Sequence, residues 1–314
     1  MFINALGHYI PSLRLDNSYF EKLSGLTNEW FLSHTGIQSR SKAGENEDNH
    51  SMGLAAVADA LTHLPYAPDT VDLIIHASYS PLDTVATLAH VVQQKYLMSK
   101  AKAFYISSAC SSFVNAIEIV QTYFMANKAS RALIIASEHN SAYSDERCEK
   151  SGHLWGDGAA AVFISKDKNE ANEAQIIDVF TQGLGHIGKG PEGVYLRPKT
   201  KGLVMPFGRD VFQHACGNMI DALQVVLTNN KLTIEDLNYI IPHQANMRII
   251  SNIARQLGLG MSRFLGNIET LGNTGCASTA IVLSENWNTL KKDELVGITV
   301  FGGGYSSGSV LIKR

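Results

Sequence analysis

The sequence has no CxxC pair, no HExxH or HxH spacing, and no apolar run long enough to span a membrane. Its four cysteines, at positions 110, 148, 216 and 276, are scattered singly, so neither a disulfide framework nor a cysteine-ligated metal is expected. The eleven histidines are just as dispersed, and a histidine metal site is not expected either. Ser, Gly, Asn or a charge interrupts every apolar stretch before the roughly eighteen residues that a spanning helix requires. No secretory apolar segment precedes the first predicted strand. An excess of one charge is missing too: 26 Lys and Arg stand against 29 Asp and Glu, a net charge of −3, without the basic surplus of a nucleic-acid-binding chain. Together these absences predict a reduced, cytoplasmic protein that works without metal, membrane or nucleic acid.

What is present is ordinary globular material: 314 residues, 45% hydrophobic and 18% charged, enough for two domains or two fused halves. Apolar strands alternate with amphipathic helices. Strands are predicted over 2–9, 71–76, 103–107 and 131–137, and over the segment that Gly156-Asp-Gly158 turns towards Ile164. Helices are predicted around 17–24, from Trp30 to the stop at Thr35-Gly36-Ile37, and over 52–63, 84–98 and 110–126. This alternation implies βαβ units and a buried, largely parallel sheet.

The second half repeats the first in the same order. Val71-Asp-Leu-Ile-Ile-His76 is echoed by Leu237-Asn-Tyr-Ile-Ile-Pro-His243, and the helix after Cys110 by the small-residue opening Asn273-Thr-Gly-Cys-Ala-Ser278. The strand at 131–137 is echoed at 295–301, and the one after Gly158 at 308–312. The expected fold is therefore two duplicated α/β halves, residues 1–170 and 171–314, packed about a pseudo-twofold axis in an α-β-α-β-α layering. A site between the halves follows from that duplication.

Cys110 stands where a strand breaks at small residues and restarts as a helix. Unpaired N–H groups and about half a positive charge at a helix start are expected to lower a thiol pKa and make a nucleophile; the alternative is a buried structural cysteine. His243 ends the echoed strand, and Asn273 heads the echoed helix. Each alone reads as a core, cap or turn residue. All three lie at strand-to-helix or strand-to-loop joints on one side of the expected fold. Cys with His can form a nucleophile and its base, and His with Asn can present two neutral N–H donors to one oxygen.

Several motifs in order resemble the β-ketoacyl-(acyl carrier protein) synthase III family. They are Ala109-Cys110 opening a helix, Trp155-Gly-Asp-Gly-Ala, Pro242-His243-Gln-Ala-Asn-Met-Arg-Ile-Ile, Gly272-Asn273-Thr with Ala277-Ser278, and Phe301-Gly-Gly-Gly-Tyr-Ser-Ser-Gly-Ser. The likeness runs from Glu29-Trp30 to the C-terminus and implies the thiolase fold. It implies that Cys110 accepts an acyl group from a thioester. His243 and Asn273 then stabilise the enolate formed when a malonyl group loses carbon dioxide, and the carbanion attacks the acyl-cysteine. The backbone N–H groups of Cys110 and Gly303 resemble the oxyanion hole. No cofactor is implied beyond the substrates, acyl-coenzyme A or acyl-carrier-protein and malonyl-carrier-protein or similar thioesters. The implied partners are an acyl carrier protein and a second copy of the chain in a homodimer.

The same resemblance places Trp30, His34, Val85, Glu149, Phe207 and Asn246 along the substrate channel, with departures. Trp30 keeps one of the family's adenine-holding positions, but the partner arginine is His34, and a second arginine falls on or near Glu149. Both changes argue against coenzyme A as donor. The family's aromatic gate, which the partner subunit contributes to the acyl pocket, falls on or near Val85, from which a longer or broader acyl channel is expected, and the loop 188–204 is expected to reshape the entrance. Arg248 and Arg255, seven apart on one helix face, fit docking of an acidic carrier helix. The reading is a condensing enzyme, expected to make a secondary metabolite or another fatty-acid-derived product. Housekeeping initiation of fatty acid synthesis, acyl transfer to an alcohol or amine, and a silent partner subunit are the alternatives.

Overall fold

The computed structural model describes residues 1–170, 173–200 and 202–314. Nine strands form its main sheet: β1 (Phe2–Tyr9), β2 (Leu73–Ala77), β3 (Lys102–Ile106), β4 (Arg131–Glu138), β5 (Gly158–Ser165), β6 (Ala174–Gly183), β7 (Tyr239–Pro242), β8 (Leu295–Gly302) and β9 (Ser306–Lys313). The order across the sheet is β7-β8-β9-β6-β1-β5-β4-β2-β3. Read outward from the β6–β1 seam, both arms follow one plan. The second arm lacks only a partner for β3, and there Phe264 makes a single parallel bridge to Ile240 of β7. The duplication predicted from the sequence is thus present in the strand order. The expected boundary at 170/171 adjoins residues 171 and 172, which lie outside the described residues.

The sheet is mixed rather than largely parallel. β2 runs parallel to β3 and β4, and β7 to β8, whereas β1, β5, β6 and β9 make antiparallel pairs. The reason is the connections. Only a tight Gly303–Tyr305 turn separates β8 from β9, and no long helix crosses over between β4 and β5, so each returning strand must lie antiparallel. Strands covered on both faces are apolar throughout, and their periodicity carries no sign of direction.

Nine helices complete the chain among the described residues: α1 (Asn17–Ser24), α2 (Asn28–Thr35), α3 (Asn49–Leu61), α4 (Leu88–Lys95), α5 (Ser112–Met125), α6 (Gly208–Asn229), α7 (Met247–Leu257), α8 (Ile268–Leu271) and α9 (Ser278–Asn286). α5 packs on strands of both arms, and so does α9, so the pair forms the central layer. α3 covers the first arm and α6 the second. In α5 the residues Phe113, Val114, Ala116, Ile117, Val120 and Phe124 recur at helical spacing and are buried. Each large one is worth about 1.5–3 kcal/mol when fully buried. They join Ala280, Ile281, Val282 and Leu283 of α9 in one core that reaches both arms. Among the described residues, no helix is long and apolar enough to cross a membrane. What the layering does for function is to bring the heads of α5 and α9, and the ends of β7 and β8, to one place.

Candidate active site

After β3 the chain turns through Ser108–Ser111 before α5 begins. Ala109 takes a left-handed φ of 49°, an uncommon conformation for a residue with a side chain. Hydroxyls hold this turn: Ser112 Oγ accepts from the Ser108 N–H (2.8 Å) and donates to the Ala109 carbonyl (2.6 Å), and Ser111 Oγ donates to the Ser108 carbonyl (2.7 Å). The end of β8 then closes on Cys110. A Cβ on Gly302 would lie 2.9 Å from the Cys110 nitrogen, so only glycine fits there.

Burial pushes the Cys110 thiol up to about 12, and the neighbouring Glu138 carboxylate adds to that rise. The Gly303 N–H, the Tyr79 hydroxyl and the Cys110 N–H pull it back. The expectation of a lowered pKa at a helix start is overturned for the resting chain. α5 starts at Ser112, two residues beyond, and desolvation exceeds the effect of the helix end. Glu138 is fully buried, and burial raises its own pKa to about 7.

His243, directly after β7, is buried, and burial holds its ring down to about 4, so it is neutral at physiological pH. Its Nδ1 lies 2.9 Å from Ser278 Oγ, at the start of α9. The Gln244 N–H donates to the same oxygen (3.4 Å). With the Ser278 hydroxyl as donor to Nδ1, the ring hydrogen of His243 sits on Nε2. Asn273 is oriented by the same logic. The Gly275 N–H donates to its Oδ1 (2.9 Å), which leaves the Nδ2 amide hydrogens as donors. Its backbone is locked to the Trp155 segment by Asn273 N–H to Leu154 O (2.8 Å) and Gly156 N–H to Asn273 O (2.9 Å). The Gly-Asp-Gly motif has a structural job here: Asp157 accepts from the Ala43 N–H (2.8 Å) and from Ser141.

Cys110, His243, Asn273 and Gly303 line one small apolar cavity of about 20 Å³, walled by Trp155, Met219, Val194 and Phe301 among others. A larger cavity of about 680 Å³ opens beside it, lined by Trp30, His34, Lys150, Arg209, Asn246 and Arg248 among others. Met205, Val211, Ala245 and Ile249 belong to both and form the neck between them. The loop 188–204 reaches the inner cavity through Val194, so it does shape the approach to Cys110.

Several sequence-predicted residues fall elsewhere. Val85 is 85% exposed and lines neither cavity of its own chain. Glu149 is exposed and outside the outer cavity, where Lys150 stands instead, so the charge presented there is positive rather than reversed. Phe207 is 42% exposed and lies under Lys189 Nζ, 5.1 Å from its ring centre, outside both cavities. Trp30 and His34 do meet in the outer cavity, but on each other: their rings stack 4.3 Å apart at 11°. Asn246 caps α7, accepting from the Arg248 N–H (2.8 Å). Arg248 and Arg255 share an exposed groove with Phe212 and Met247. Sequence reasoning missed Tyr79, Glu138 and Cys276 behind the nucleophile, and Ser278 as the partner of His243. The Ala277-Ser278 motif was the signal for the last.

Family models described as 3-oxoacyl-[acyl-carrier-protein] synthase III and its C terminal match residues 104–185 and 227–314. The chain is 32% identical to the beta-ketoacyl-[acyl-carrier-protein] synthase III of Rhizobium meliloti, covering 99% of this chain and 98% of that one. It is 33% identical to the synthase of the same name from Acholeplasma laidlawii, covering 99% and 97%. Among solved structures, 3-oxoacyl-[acyl-carrier-protein] synthase III from Aquifex aeolicus superposes with a TM-score of 0.92 at 31% identity, covering 100% and 99%. The priming beta-ketosynthase of the R1128 polyketide pathway superposes with 0.90 at 26% identity, covering 99% and 96%.

Proposed function

The chain belongs to the 3-oxoacyl-[acyl-carrier-protein] synthase III family, and on that footing we propose that Cys110 carries the acyl group while His243 and Asn273 prepare the carbanion that attacks it. The protein is an acyl-transferring condensing enzyme. The observation that carries the residue assignment is chemical: a cysteine sulfur and two side chains with one donor face left free share one dry cavity.

The reaction runs in two halves. The Cys110 sulfur attacks the thioester carbonyl of the donor, and the N–H groups of Cys110 and Gly303 take the charge that develops on its oxygen. The donor sulfur leaves with the hydrogen that Cys110 gives up, and the acyl group stays on Cys110. A malonyl-type thioester then enters with its carbonyl oxygen between His243 Nε2–H and Asn273 Nδ2–H. Its carboxylate departs as carbon dioxide, and the electron pair left behind is held as an enolate by those two donors. Both donors are neutral, so neither readily protonates the carbanion. Carbon–carbon bond formation expels the Cys110 thiolate and releases the β-ketoacyl product.

The donor we propose is an acyl group delivered on a carrier protein. The Trp30 indole is already covered on one face by His34, so a nucleotide base would have to displace that ring. Lys150, Arg209 and Arg248 around the outer cavity, with Arg255 beyond, offer cations to the phosphate and acidic surface of such a carrier. A specialised pathway in the cytoplasm, ending in a secondary metabolite or fatty-acid-derived product, remains our reading, supported by the changed donor residues. The small inner cavity favours a short acyl starter and with it the second reading, initiation of fatty acid synthesis. We place Val85 and its exposed neighbour Leu82 at a homodimer interface, where they reach the partner's acyl pocket.

Intact-mass analysis after mixing with short acyl-carrier-protein donors should show one acyl adduct, mapped to the Cys110 peptide, with acyl-coenzyme A reacting more slowly. No adduct from any donor overturns the mechanism; faster labelling from coenzyme A overturns the donor assignment alone.

A further inference from the structure

Next to Cys110 lies a cluster that the mechanism above does not use. Glu138 at the end of β4 is its centre, with Ser78, Tyr79 and Ser80 following β2, and Cys276 ahead of α9. The Glu138 carboxylate is saturated with donors. Oε2 accepts from Ser78 Oγ (3.0 Å), Ser80 N–H (3.0 Å) and Ser80 Oγ, and Oε1 accepts from the N–H groups of Tyr79 (3.2 Å) and Cys276 (3.4 Å). The Cys276 thiol is also committed, donating to the Ala77 carbonyl at 3.2 Å. One polar atom in the cluster makes no well-aligned hydrogen bond: the Tyr79 hydroxyl oxygen is buried, and the side chains within its reach are the Cys110 thiol and the Asn140 amide. A buried hydroxyl left unpaired is costly and calls for a reason.

Its position is built rather than incidental. The phenol lies against the backbone of Gly275, where an added Cβ would come within 2.5 Å of the Tyr79 oxygen and 2.9 Å of its ring. Gly275 also has a φ of 60°, so glycine both makes the turn and leaves the space. The groups that bear on the phenol electrostatically are Cys110, Glu138 and Cys276. With Glu138 and Cys276 committed, the Cys110 sulfur is the acceptor among them that Tyr79 alone of the side chains bears on as a donor. Asn140 bears on the phenol as a donor to its oxygen, with an amide nitrogen already shared with the Gly156 and Asn273 carbonyls, so it does not compete for the phenol hydrogen.

We infer that the Tyr79 hydroxyl is a further catalytic group of this site, donating its hydrogen to the Cys110 sulfur whenever that sulfur carries negative charge. The inference rests on the reading of Cys110 as the nucleophile. Once the donor is bound, the Cys110 and Gly303 N–H groups that bear on the resting thiol are taken up by the acyl carbonyl, and His243 and Asn273 by the extender carbonyl, which leaves Tyr79 for the sulfur. The sulfur is charged twice, as it attacks the donor and as the carbon–sulfur bond breaks with its electron pair returning to Cys110. Tyr79 stands where it can answer both moments, and between them, when the sulfur is a poorly accepting thioester, it is released. It keeps its own proton throughout. The Cys110 hydrogen leaves on the donor thiol, and after condensation the thiolate is reprotonated from water. Burial, which holds the phenol well above its ordinary range, suits a group that donates without ionising.

The test is Tyr79→Phe, read by iodoacetamide alkylation of Cys110 across pH 6–10 with the modified peptide quantified by mass. A charge-assisted hydrogen bond to a buried anion is worth roughly one pH unit. The variant should therefore alkylate about tenfold more slowly at each pH in that range and form acyl-enzyme more slowly by a similar factor. Glu138, which changes charge near pH 7, and His243, neutral above about pH 4, face the same sulfur in both proteins, so the difference between the two profiles isolates the hydroxyl. Removal of an unpaired hydroxyl should not lower the denaturation midpoint. An alkylation profile that superimposes on that of the unmodified protein overturns the proposal. Alkylation needs no acyl donor, so this outcome is separate from failure of the acyl-enzyme itself, which the intact-mass experiment reads.

Discussion

His243→Ala is expected to accept an acyl group on Cys110 at close to the normal rate and to lose condensation by about a thousandfold. The split follows from where the ring proton sits. In the tautomer in which Ser278 donates to Nδ1, Nε2 carries the hydrogen and has no lone pair with which to deprotonate a thiol, and the acylation rate of the variant reads which tautomer is in use. A neutral Nε2–H can still hold an enolate oxygen, and a preorganised donor of that kind in a dry site typically contributes ~100–1000-fold. Asn273→Ala should lose condensation to a similar degree. The double variant should lose less than the product of the two, because both donors serve one oxygen. Rapid mixing with donor, followed by intact mass, reads the first half; product formation with a malonyl thioester reads the second. Failure of His243→Ala to acylate would make the histidine the base for Cys110, and full condensing activity would remove it from the chemistry. The depressed pKa also has a stability consequence. His243 is neutral in the folded chain down to about pH 4 but charges near 6.5 when unfolded, so folding loses stability as pH falls through that window. The loss is about 3 kcal/mol for this one group.

The fold was legible because duplication prints itself twice. Leu237–His243 repeats the apolar run that ends at His76, and a helix with a small-residue head follows both Cys110 and Asn273, so order and symmetry could be read without any contact. Strand direction could not. β5 and β9 are buried on both faces, and the difference between a crossover and a return lies in connections that carry no periodicity. In the site, the three chemical residues were legible as residue types at structural joints, but the state of the thiol was not. A helix start argues for a lowered pKa, whereas the burial and the Glu138 charge that reverse it come from β4, which is distant in the sequence. Tyr79 and Gly275 were invisible for a related reason: each is bland alone, and they become informative only when packed on one another. The channel residues fared worst where position was inferred from spacing in a loop. Glu149 and Lys150 are neighbours, and one step of register decides which of them faces the cavity.

Arg40→Ala is expected to cost about 3–5 kcal/mol of folding stability, the largest loss we anticipate for a residue outside the cavity wall. Arg40, on the short strand Ser39–Lys42, is 1% exposed. Its Nε donates to the His153 carbonyl (2.6 Å) and its Nη1 to Asn17 Oδ1, while the guanidinium lies over the rings of Phe20 and Phe31, 4.5 and 5.5 Å from their centres. Burial brings its pKa down to about 9, so the cation itself is a burden that the folded chain carries at neutral pH; stability from this group rises only as pH climbs from 9 towards 12.5. Removing the side chain lifts that burden but leaves a cavity and two buried acceptors without a donor. Arg40→Met, which fills the space without charge, should therefore be much milder, within about 2 kcal/mol of the unmodified protein. Urea unfolding of both variants decides the matter: both leave the same two acceptors unpaired, so an Arg40→Ala as stable as Arg40→Met would mean that the lost volume does not matter. The effect should reach the site as well. His153 meets Trp30 edge to face at 5.4 Å, and the stem of Arg40 packs against Gly272, where a Cβ would come within 2.8 Å of it, one residue before Asn273. One buried cation thus braces both the wall where the donor enters and the turn that aims the Asn273 amide. Arg40→Ala should consequently lower kcat/KM for condensation more than it lowers the rate of Cys110 alkylation, which depends on neither.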